Sequence, residues 1–362
     1  MTELEKARKI INEVDKEMAR LFVRRMEAVK SVAEYKKIHG MQVFDPARED
    51  ELIERNSALV ENEELKSYYI NFLKSNMEIS KKYQHRLLEG MRVAFSGVEG
   101  AFAGIAAKKV FPDAVTVPFS DFKAAYDSVI NGETDCVILP LENSYNGEVG
   151  QVMDLAFFGP LYINGVYDIS VVQNLLAVKG TDIGQIKQVI SHPQALGQCA
   201  DFIKKHGFET IEAVNTAVAA KQVAEWNRHD IAAIASDEAA KEYGLIKLES
   251  NINMSSNNTT RFAVFTRTAK QPSKEDNQFI MVFTVKNEAG ALGKAVSIIG
   301  ENGFNLKSLK SRPTKELIWS YYFFVEGEGN INSEKGRKML ALLSEKCSKI
   351  KVLGSFEKEI TL

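Results

Sequence analysis

The chain has 362 residues, of which 45% are hydrophobic and 26% are charged, a composition typical of a globular protein with two or three domains. Its formal net charge of -2 gives no electrostatic reason to expect a nucleic-acid partner. The first residues, MTELEKARK, lack the apolar run of a signal peptide or membrane-spanning helix, so a cytoplasmic location without a membrane partner is expected. Three cysteines without a CxxC pair predict neither a disulfide framework nor a zinc site.

Residues 1 to about 90 show only helical periodicity, with one clear break at Phe44-Asp45-Pro46. Asp45 is suited to cap a helix N-terminus, and Pro46 suits the first helical position. We therefore predict an all-α domain over residues 1–90, with a long helix, a short helix from about residue 46 and a long third helix to about residue 88.

One stripe of the first predicted helix combines apolar residues with an arginine. In heptad steps it contains Ile11, Val14, Met18, Leu21, Arg25, Ala28, Val32 and Tyr35, and it is predicted to be a buried seam. A buried guanidinium requires an anion, because losing its hydration costs several kcal/mol unless a carboxylate or phosphate replaces the water. For any single charge in this segment, a surface salt bridge on a helical bundle remains the alternative interpretation.

The polar residues of this segment resemble the all-α class of chorismate mutase. The matching positions are Arg8, Arg25, Lys36, Asp45, Arg48, Glu49, Ser80 and Gln84. The resemblance implies that the two arginines bind the two carboxylates of chorismate, and that Lys36 and Gln84 donate to its ether oxygen. Glu49 and the start of the second helix would hold the ring hydroxyl. The family's counterpart of Arg8 reaches into the partner's site, which implies an obligate dimer through the N-terminal helices.

Beyond Met91, short apolar runs alternate with helix-like stretches, a pattern that predicts α/β layers with mostly parallel strands over residues 91–270. The predicted strands include Arg92–Phe95, Val115–Val117, Cys136–Leu139 and Ile231–Ala235. The glycines from Gly97 to Gly104 lack the tight GxG turn of a dinucleotide site, so no such cofactor is expected. A helix that begins there can still bind a carboxylate through its free N–H groups. No metal-ligand cluster stands out among the five histidines.

Three strings in this region together resemble prephenate dehydratase: LPLENS at residues 139–144, SHPQALGQC at 191–199 and NTTRF at 258–262. The resemblance implies a two-lobed α/β domain in which Thr260 acts on the departing hydroxyl and Arg261 pairs with or orients a carboxylate. It also implies a pocket lined by further residues of these strings, namely Asn143, Ser144, Ser191, Gln198 and Phe262. Ala103 stands where the family's glycine-rich loop usually has serine, which leaves only a backbone role there.

A polar linker, Gln271–Asn277, precedes a predicted βαββαβ unit. Its elements are expected at residues 278–286, 291–302, 305–311, 317–325, 333–347 and 350–360. This segment, residues 277–362, resembles an α+β ACT domain of the dehydratase type. The resemblance implies an L-phenylalanine site between paired domains, formed by Gly290, Ala291, Leu292, Ser311, Arg312 and Pro313. Lys310 replaces the family's usual glutamate, so the affinity and the sign of this regulation stay open.

Nearly the whole chain thus resembles the bifunctional chorismate mutase/prephenate dehydratase family. The resemblance implies conversion of chorismate through prephenate to phenylpyruvate, without cofactor or metal, in a homodimer or tetramer inhibited by L-phenylalanine. Two alternatives remain open at this point. The middle and C-terminal regions can form a non-catalytic sensor of aromatic metabolites fused to an active mutase, or the dehydratase can prefer arogenate.

Overall fold

A computed structural model describes residues 1–254, 258–314 and 320–362. The chain divides into two compact units, Met1–Met91 and Arg92–Leu362. Within the described ranges, no helix has both the length and the apolar character needed to cross a bilayer.

The first unit consists of three helices, α1 (Glu3–His39), α2 (Pro46–Ser57) and α3 (Glu63–Glu89), as the sequence predicted. Local caps explain their boundaries. Asp45 accepts a hydrogen bond from the backbone N–H of Arg48 at 3.1 Å, and Pro46 occupies the first position of α2. Asn62 caps α3 in the same way.

Most residues of the predicted seam of α1 are exposed in the single chain. Ile11, Val14 and Leu21 are 56%, 50% and 61% exposed in the single chain. Met18, Ala28, Val32 and Tyr35 are exposed as well. The buried or half-buried positions lie only in the C-terminal half, where α1 contacts α3, and they recur every three to four residues: Arg25, Met26, Val29, Ala33 and Lys36. Arg25 is therefore the one member of the predicted seam that the fold of the single chain covers in part.

The second unit is built from α/β layers. Its helices are α4 (Phe102–Val110), α5 (Phe122–Ile130), α6 (Gly150–Phe158), α7 (Pro193–Gln198), α8 (Ala200–His206), α9 (Thr216–Trp226), α10 (Asp237–Tyr243), α11 (Ala291–Glu301) and α12 (Glu334–Ser344). Its strands are β1 (Arg92–Ser96), β2 (Val115–Phe119), β3 (Cys136–Asn143), β4 (Gly147–Glu148), β5 (Tyr162–Ser170), β6 (Asn174–Ala177), β7 (Gln188–Ser191), β8 (Glu209–Glu212), β9 (Ile231–Ala235), β10 (Ile246–Glu249), β11 (Thr259–Thr266), β12 (Gln278–Val285), β13 (Asn305–Pro313), β14 (Tyr321–Glu328), β15 (Cys347–Phe356) and β16 (Ile360–Thr361).

The described residues form three sheets, and two of these sheets form two lobes. The first has the order β16-β5-β11-β3-β1-β2, with β4 beside the end of β3, and the second has the order β10-β6-β9-β7-β8. The prediction of mostly parallel strands is wrong, because both sheets mix parallel and antiparallel pairs. The chain leaves the first lobe after β5 and returns to it as β11, and these two strands therefore run antiparallel to each other.

The third sheet, with the order β13-β14-β12-β15, confirms the predicted βαββαβ succession within the described residues. Part of the strand predicted at 317–325 lies outside those residues, and β14 continues to Glu328. Helices α11 and α12 cover one face of the sheet. The other face contributes Tyr322, Phe324 and Leu353 to the hydrophobic core of the first lobe. Gly354 permits this close packing, since a Cβ there would lie 1.8 Å from the carbonyl oxygen of Ile163.

Candidate active sites

A cavity of about 430 Å³ lies between the two lobes of the second unit. Both lobes and the segments that connect them supply its walls. The lining residues are Ala101, Phe102, Ala103, Phe122, Pro140, Asn143, Asn146, Gly147, Glu148, Val149, Val171, Gln173, His192, Gln194, Ala195, Gln198, Val214, Asn215, Thr216, Thr260 and Phe262. Four residues predicted from the sequence are brought together here: Asn143, Gln198, Thr260 and Phe262.

The most specific contact in the cavity joins Asn143 to Thr260. The two residues are direct partners in the antiparallel pairing of β3 with β11. The side-chain amide of Asn143 donates to the Thr260 hydroxyl oxygen at 2.9 Å, while its own oxygen accepts the backbone N–H groups of Tyr145 and Asn146. Because the Thr260 oxygen already accepts a hydrogen bond, its hydroxyl proton is available to a group in the cavity.

Asn258 extends this contact into a chain of amides. It accepts from Asn143 at 2.9 Å and donates to the side-chain oxygen of Gln198 at 2.8 Å. Asn258 and Gln198 are 4% and 6% exposed, so these hydrogen bonds replace lost contacts with water. Asn258 was not among the predicted site residues, although it opens the NTTRF string.

Helix N-termini surround the cavity and supply positive electrostatic potential. The first residues of α4 line it, and Ala101 at the N-cap offers no side chain to satisfy the free N–H groups of that helix. Asn215 and Thr216 bring the N-terminus of α9, and Val149 brings that of α6. Among the described lining residues there is no lysine or arginine. These helix ends are therefore the principal anion-attracting groups in that set.

His192 caps α7 at the cavity wall. Its Nδ1 accepts the backbone N–H of Gln194 at 3.2 Å, so the neutral ring carries its proton on Nε2. Burial lowers the pKa of His192, against an opposing effect from Glu212, and this favours the neutral form. The predicted site residues did not include His192. Its place in the SHPQ string, directly before a helix start, was the available signal.

Two predicted pocket residues lie elsewhere. Ser191 is fully buried and donates to the carbonyl oxygen of Ile234 at 2.6 Å, so it links neighbouring strands. Ser144 is exposed, and its hydroxyl accepts the backbone N–H of Thr259 at 3.0 Å. Neither residue lines the cavity.

Arg261 lies on the opposite face of β11 from Thr260, because successive side chains of a strand alternate between faces. Its guanidinium pairs with Glu326 at 2.9 Å, with Asp168 at 3.6 Å and with Glu359. Burial opposes its charge, but these carboxylates outweigh that effect and raise the pKa of Arg261. Arg261 thus pairs with carboxylates, but these belong to the chain itself and lie away from the cavity.

In the helical unit, Arg25 reaches α3. Its guanidinium donates to the Ser80 hydroxyl and, at 3.5 Å, to the carbonyl oxygen of Asn76. Burial lowers the pKa of Arg25. Gln84, one helical turn beyond Ser80, is 7% exposed, and within the described residues its Oε1 has no hydrogen-bond donor. The structure therefore brings together three predicted polar residues on the α1 and α3 faces.

A second polar group of this unit joins α2 to α3. Glu49 pairs with Lys81 at 3.1 Å, and the Lys81 ammonium also lies 4.8 Å from the centre of the Phe44 ring. Burial opposes the charge of Lys81, but the hydrogen bonds that Lys81 donates to Glu78 and Glu49 outweigh it and raise the pKa. Lys81 was missed from the sequence, since a lysine on a helix surface carries no signal of its own.

Most of the other predicted residues of the helical unit have contact partners other than Arg25. Lys36 donates to the carbonyl oxygen of Val43 at 2.6 Å, and Asp45 is occupied in capping α2. Arg48 pairs with Glu51 on the helix surface. Arg8 is exposed and, because α1 is continuous, lies about 25 Å along the axis from Arg25.

Comparison with known proteins adds two matched ranges to this geometry. The family model for chorismate mutase type II matches residues 7–85, and that for prephenate dehydratase matches residues 93–270. A bifunctional chorismate mutase/prephenate dehydratase of Aquifex aeolicus is 32% identical over 99% of both chains. The chain belongs to the bifunctional chorismate mutase/prephenate dehydratase family. It therefore carries both activities, in the biosynthesis of phenylalanine.

Two further relatives concern the dehydratase part of this bifunctional enzyme. An arogenate dehydratase/prephenate dehydratase of Arabidopsis thaliana is 34% identical over 75% of the chain and 74% of its own length. The crystal structure of a prephenate dehydratase from Arthrobacter aurescens in complex with L-Phe is similar with a TM-score of 0.69. It is 26% identical, and the match covers 74% of this chain and 90% of that one.

The C-terminal residues predicted to bind an effector form two segments of the bifunctional enzyme. Gly290, with φ of +79°, precedes Ala291 and Leu292 at the start of α11, and a left-handed backbone there favours glycine. Ser311 and Pro313 are exposed at the end of β13, whereas Arg312 is turned toward α6. Its guanidinium donates to both oxygens of Asp154, at 2.9 and 3.2 Å. Arg312 therefore already has an anionic partner inside the chain.

Replacing Arg312 by methionine is expected to destabilise the dehydratase unit by about 2 kcal/mol, because it leaves the mostly buried Asp154 carboxylate without its bidentate partner. Thermal and urea unfolding followed by circular dichroism measure this change. Arg228→Met is the matched control, since Arg228 makes the same two-bond contact to Asp230 at an exposed site. Equal losses in the two variants would contradict a special role for the buried pair.

Proposed function

We propose that the cavity between the lobes binds prephenate and that the Thr260 hydroxyl acts on the departing hydroxyl group. Prephenate becomes phenylpyruvate by losing this hydroxyl and CO2, and formation of the aromatic ring drives the reaction. Threonine is a weak acid, so Thr260 donates a hydrogen bond that stabilises the leaving oxygen. The observation that carries the proposal is the Asn143 to Thr260 contact, in which the Thr260 oxygen is the acceptor and its hydroxyl can therefore donate to another group. Phe262 and the buried Gln198 complete the wall around the ring.

The two carboxylates of prephenate are assigned to the helix N-termini of the cavity. The start of α4 has no side-chain cap, and α9 keeps uncapped N–H groups beside the Val218 N–H that Asn215 accepts; these groups attract anions, and the described lining residues include no lysine or arginine to do so. Ala103 contributes here through its backbone only. His192 provides an Nε2–H donor for the hydroxyl or a carboxylate. We assign no role in binding substrate to Arg261, Ser144 or Ser191, because none of them lines the cavity.

For the helical unit, we propose that Arg25 binds one carboxylate of chorismate, beside Ser80. The rearrangement needs no nucleophile or redox step, so holding the reactive conformation and stabilising the developing charge suffice. Gln84 supports this role, because it is buried with an unpaired side-chain oxygen within the described residues and its amide group can donate to the ether oxygen. We also propose that chorismate contacts a group of residues near the start of α2, namely Glu49, Lys36, Asp45 and Arg48.

Arg8 enters this proposal only through a second copy of the chain. A single α1 keeps Arg8 about 25 Å from Arg25, so Arg8 of one protomer must reach the site of its partner. The exposed apolar residues of the N-terminal half of α1 support such a dimer, since few monomers leave so many on one helix. We expect sedimentation to show a dimer at assay concentrations, with mutase activity falling on dilution into monomer. A monomer with full mutase activity would contradict the dimer.

The domain boundaries are proposed as 1–90 for the mutase, 91–270 for the dehydratase and 277–362 for a regulatory ACT domain. The βαββαβ order supports the last assignment. The structure of the Arthrobacter relative in complex with L-Phe supports feedback inhibition by L-phenylalanine. We propose that Gly290–Leu292 and Ser311–Pro313 form the effector site across paired domains, with dimers or tetramers as the assembly.

One assay tests the activities together. The purified protein is supplied with chorismate alone, and chorismate loss and phenylpyruvate formation are followed without added cofactor or metal. Phenylpyruvate is expected, and millimolar L-phenylalanine is expected to slow its formation. Accumulation of prephenate without phenylpyruvate would instead indicate that the cavity binds aromatic metabolites without converting them. A parallel reaction with arogenate measures the second candidate substrate, which the Arabidopsis relative's name brings into consideration.

A further inference from the structure

A cluster of charged side chains lies behind the cavity, where the C-terminal sheet meets β3 and β11. It combines residues of the first lobe with residues of the C-terminal strands. Its members are Glu142, Asp168, Arg261, Lys307, Lys310, Glu326 and Glu359. The proposed reaction uses none of them directly, and most are largely shielded from water. Burying so many charges is costly unless their positions are fixed by mutual contacts.

The cluster is directly coupled to the catalytic contact through the backbone. In the pairing of β3 with β11, Glu142 is the partner of Arg261, and the next pair along is Asn143 with Thr260. Because side chains alternate along a strand, Asn143 and Thr260 face the cavity while Glu142 and Arg261 face the C-terminal sheet. Any shift of the Glu142 backbone is therefore passed to Asn143, which orients the Thr260 hydroxyl.

Lys310 of β13 is the group that fixes Glu142. Its ammonium lies 2.8 Å from a carboxylate oxygen of Glu142, whereas Arg261 lies 3.8 Å away from the same carboxylate. The Lys310 nitrogen is shielded from solvent and, among the described residues, makes no hydrogen bond of good geometry, so its contact with Glu142 is an ion pair. A desolvated ammonium requires an anion at contact distance, and Glu142 supplies it.

We propose that Lys310 is a positioning residue for the dehydration of prephenate. Through Glu142 it holds the end of β3 so that Asn143 orients the Thr260 hydroxyl for the leaving group. This inference rests on the proposed role of Thr260. It makes a residue of the C-terminal sheet part of the dehydratase apparatus, although Lys310 does not touch the substrate.

The first test compares Lys310→Met with Lys310→Arg and the unchanged enzyme, using prephenate as substrate. Lys310→Met is expected to lower kcat about tenfold, because a small misplacement of a catalytic donor reduces the rate strongly. The KM for prephenate is expected to change by less than about twofold, since the helix N-termini that bind the carboxylates are not altered. Lys310→Arg keeps the charge and is expected to recover most of kcat. Lys247→Met, which breaks an exposed pair with Asp237, is the control without effect.

A double-mutant cycle with Glu142→Gln separates positioning from general destabilisation. If Lys310 acts through Glu142, the loss in kcat of the double variant is smaller than the product of the two single losses. Activities are compared at a temperature where unfolding curves show each variant folded, so that a lower active fraction is not counted as a lower kcat. If Lys310→Met is too unstable for this comparison, Lys310→Arg and Glu142→Gln test the proposal instead. A full kcat in Glu142→Gln overturns it.

The other contrary outcomes are equally definite. Multiplicative losses in the cycle, or a lower unfolding temperature of Lys310→Met with kcat unchanged, would reduce Lys310 to a structural residue. If the unchanged enzyme forms no phenylpyruvate from prephenate, the proposed function itself fails, and that result is recorded before any variant is compared.

Discussion

Replacing Thr260 by alanine is expected to lower kcat for phenylpyruvate formation by about a hundredfold or more, because the cavity loses the donor that stabilises the leaving hydroxyl. The rate of chorismate consumption is expected to stay unchanged, since Arg25 and Ser80 belong to the other compact unit. The KM for prephenate should change little if the helix N-termini supply most of the binding.

Two control variants make this prediction specific. Thr260→Ser keeps a hydroxyl that Asn143 can orient, so it should retain a substantial part of the activity. Thr259→Ala removes a hydroxyl from the neighbouring position of β11, which does not line the cavity, and should leave the rate near its original value. Each variant is assayed with prephenate and chorismate in separate reactions. Loss of both activities in Thr260→Ala would point to misfolding, and a normal dehydratase rate would remove Thr260 from the mechanism.

Replacing Arg25 by methionine is expected to lower mutase kcat/KM by about a hundredfold to a thousandfold, because a preorganised cation beside Ser80 is lost. Phenylpyruvate formation from prephenate should be unaffected. Arg25→Lys keeps a charge without the planar pair of donors and is expected to recover only part of the activity.

Arg24→Met is the matched control for this variant, because Arg24 is the adjacent residue of α1 and is exposed. Initial rates of chorismate loss for both variants, with circular dichroism to verify the helices, decide the outcome. Equal rates in Arg25→Met and Arg24→Met would show that the half-buried arginine is structural and that chorismate binds elsewhere.

The elements that the sequence predicted well are those specified locally. The start of α2 depends on Asp45 and Pro46 alone, and the order of strands and helices after Asn277 follows from hydrophobic periodicity. The sequence pointed to Asn143 and Thr260 through two separate strings, but these residues are 117 apart in the chain and their pairing depends on strand register. Strand alternation alone predicts that Arg261 and Thr260 face opposite sides of β11.

What the sequence did not predict depends on distant partners. The roles of Lys81 and Lys310 depend on carboxylates that α2 and β3 place beside them. The antiparallel course of β5 and β11 follows from the path of the chain between lobes, which periodicity does not encode. The N-terminal half of α1 is exposed in the single chain, and its apolar stripe does not reveal whether the cover comes from the same chain or from a partner.

The third sheet shares a hydrophobic core with the first lobe, so the parts of the enzyme are not equally separable. A chain cut near residue 91 separates two units that each have their own contacts. A chain ending at residue 270 would instead strip Tyr322, Phe324 and Leu353 from the dehydratase core and leave Arg261 without Glu326. The mutase unit can thus be removed as a whole, whereas the C-terminal sheet cannot be removed without exposing the core of the dehydratase lobe. Any effector that deforms this sheet acts on the hydrophobic core of the dehydratase lobe itself.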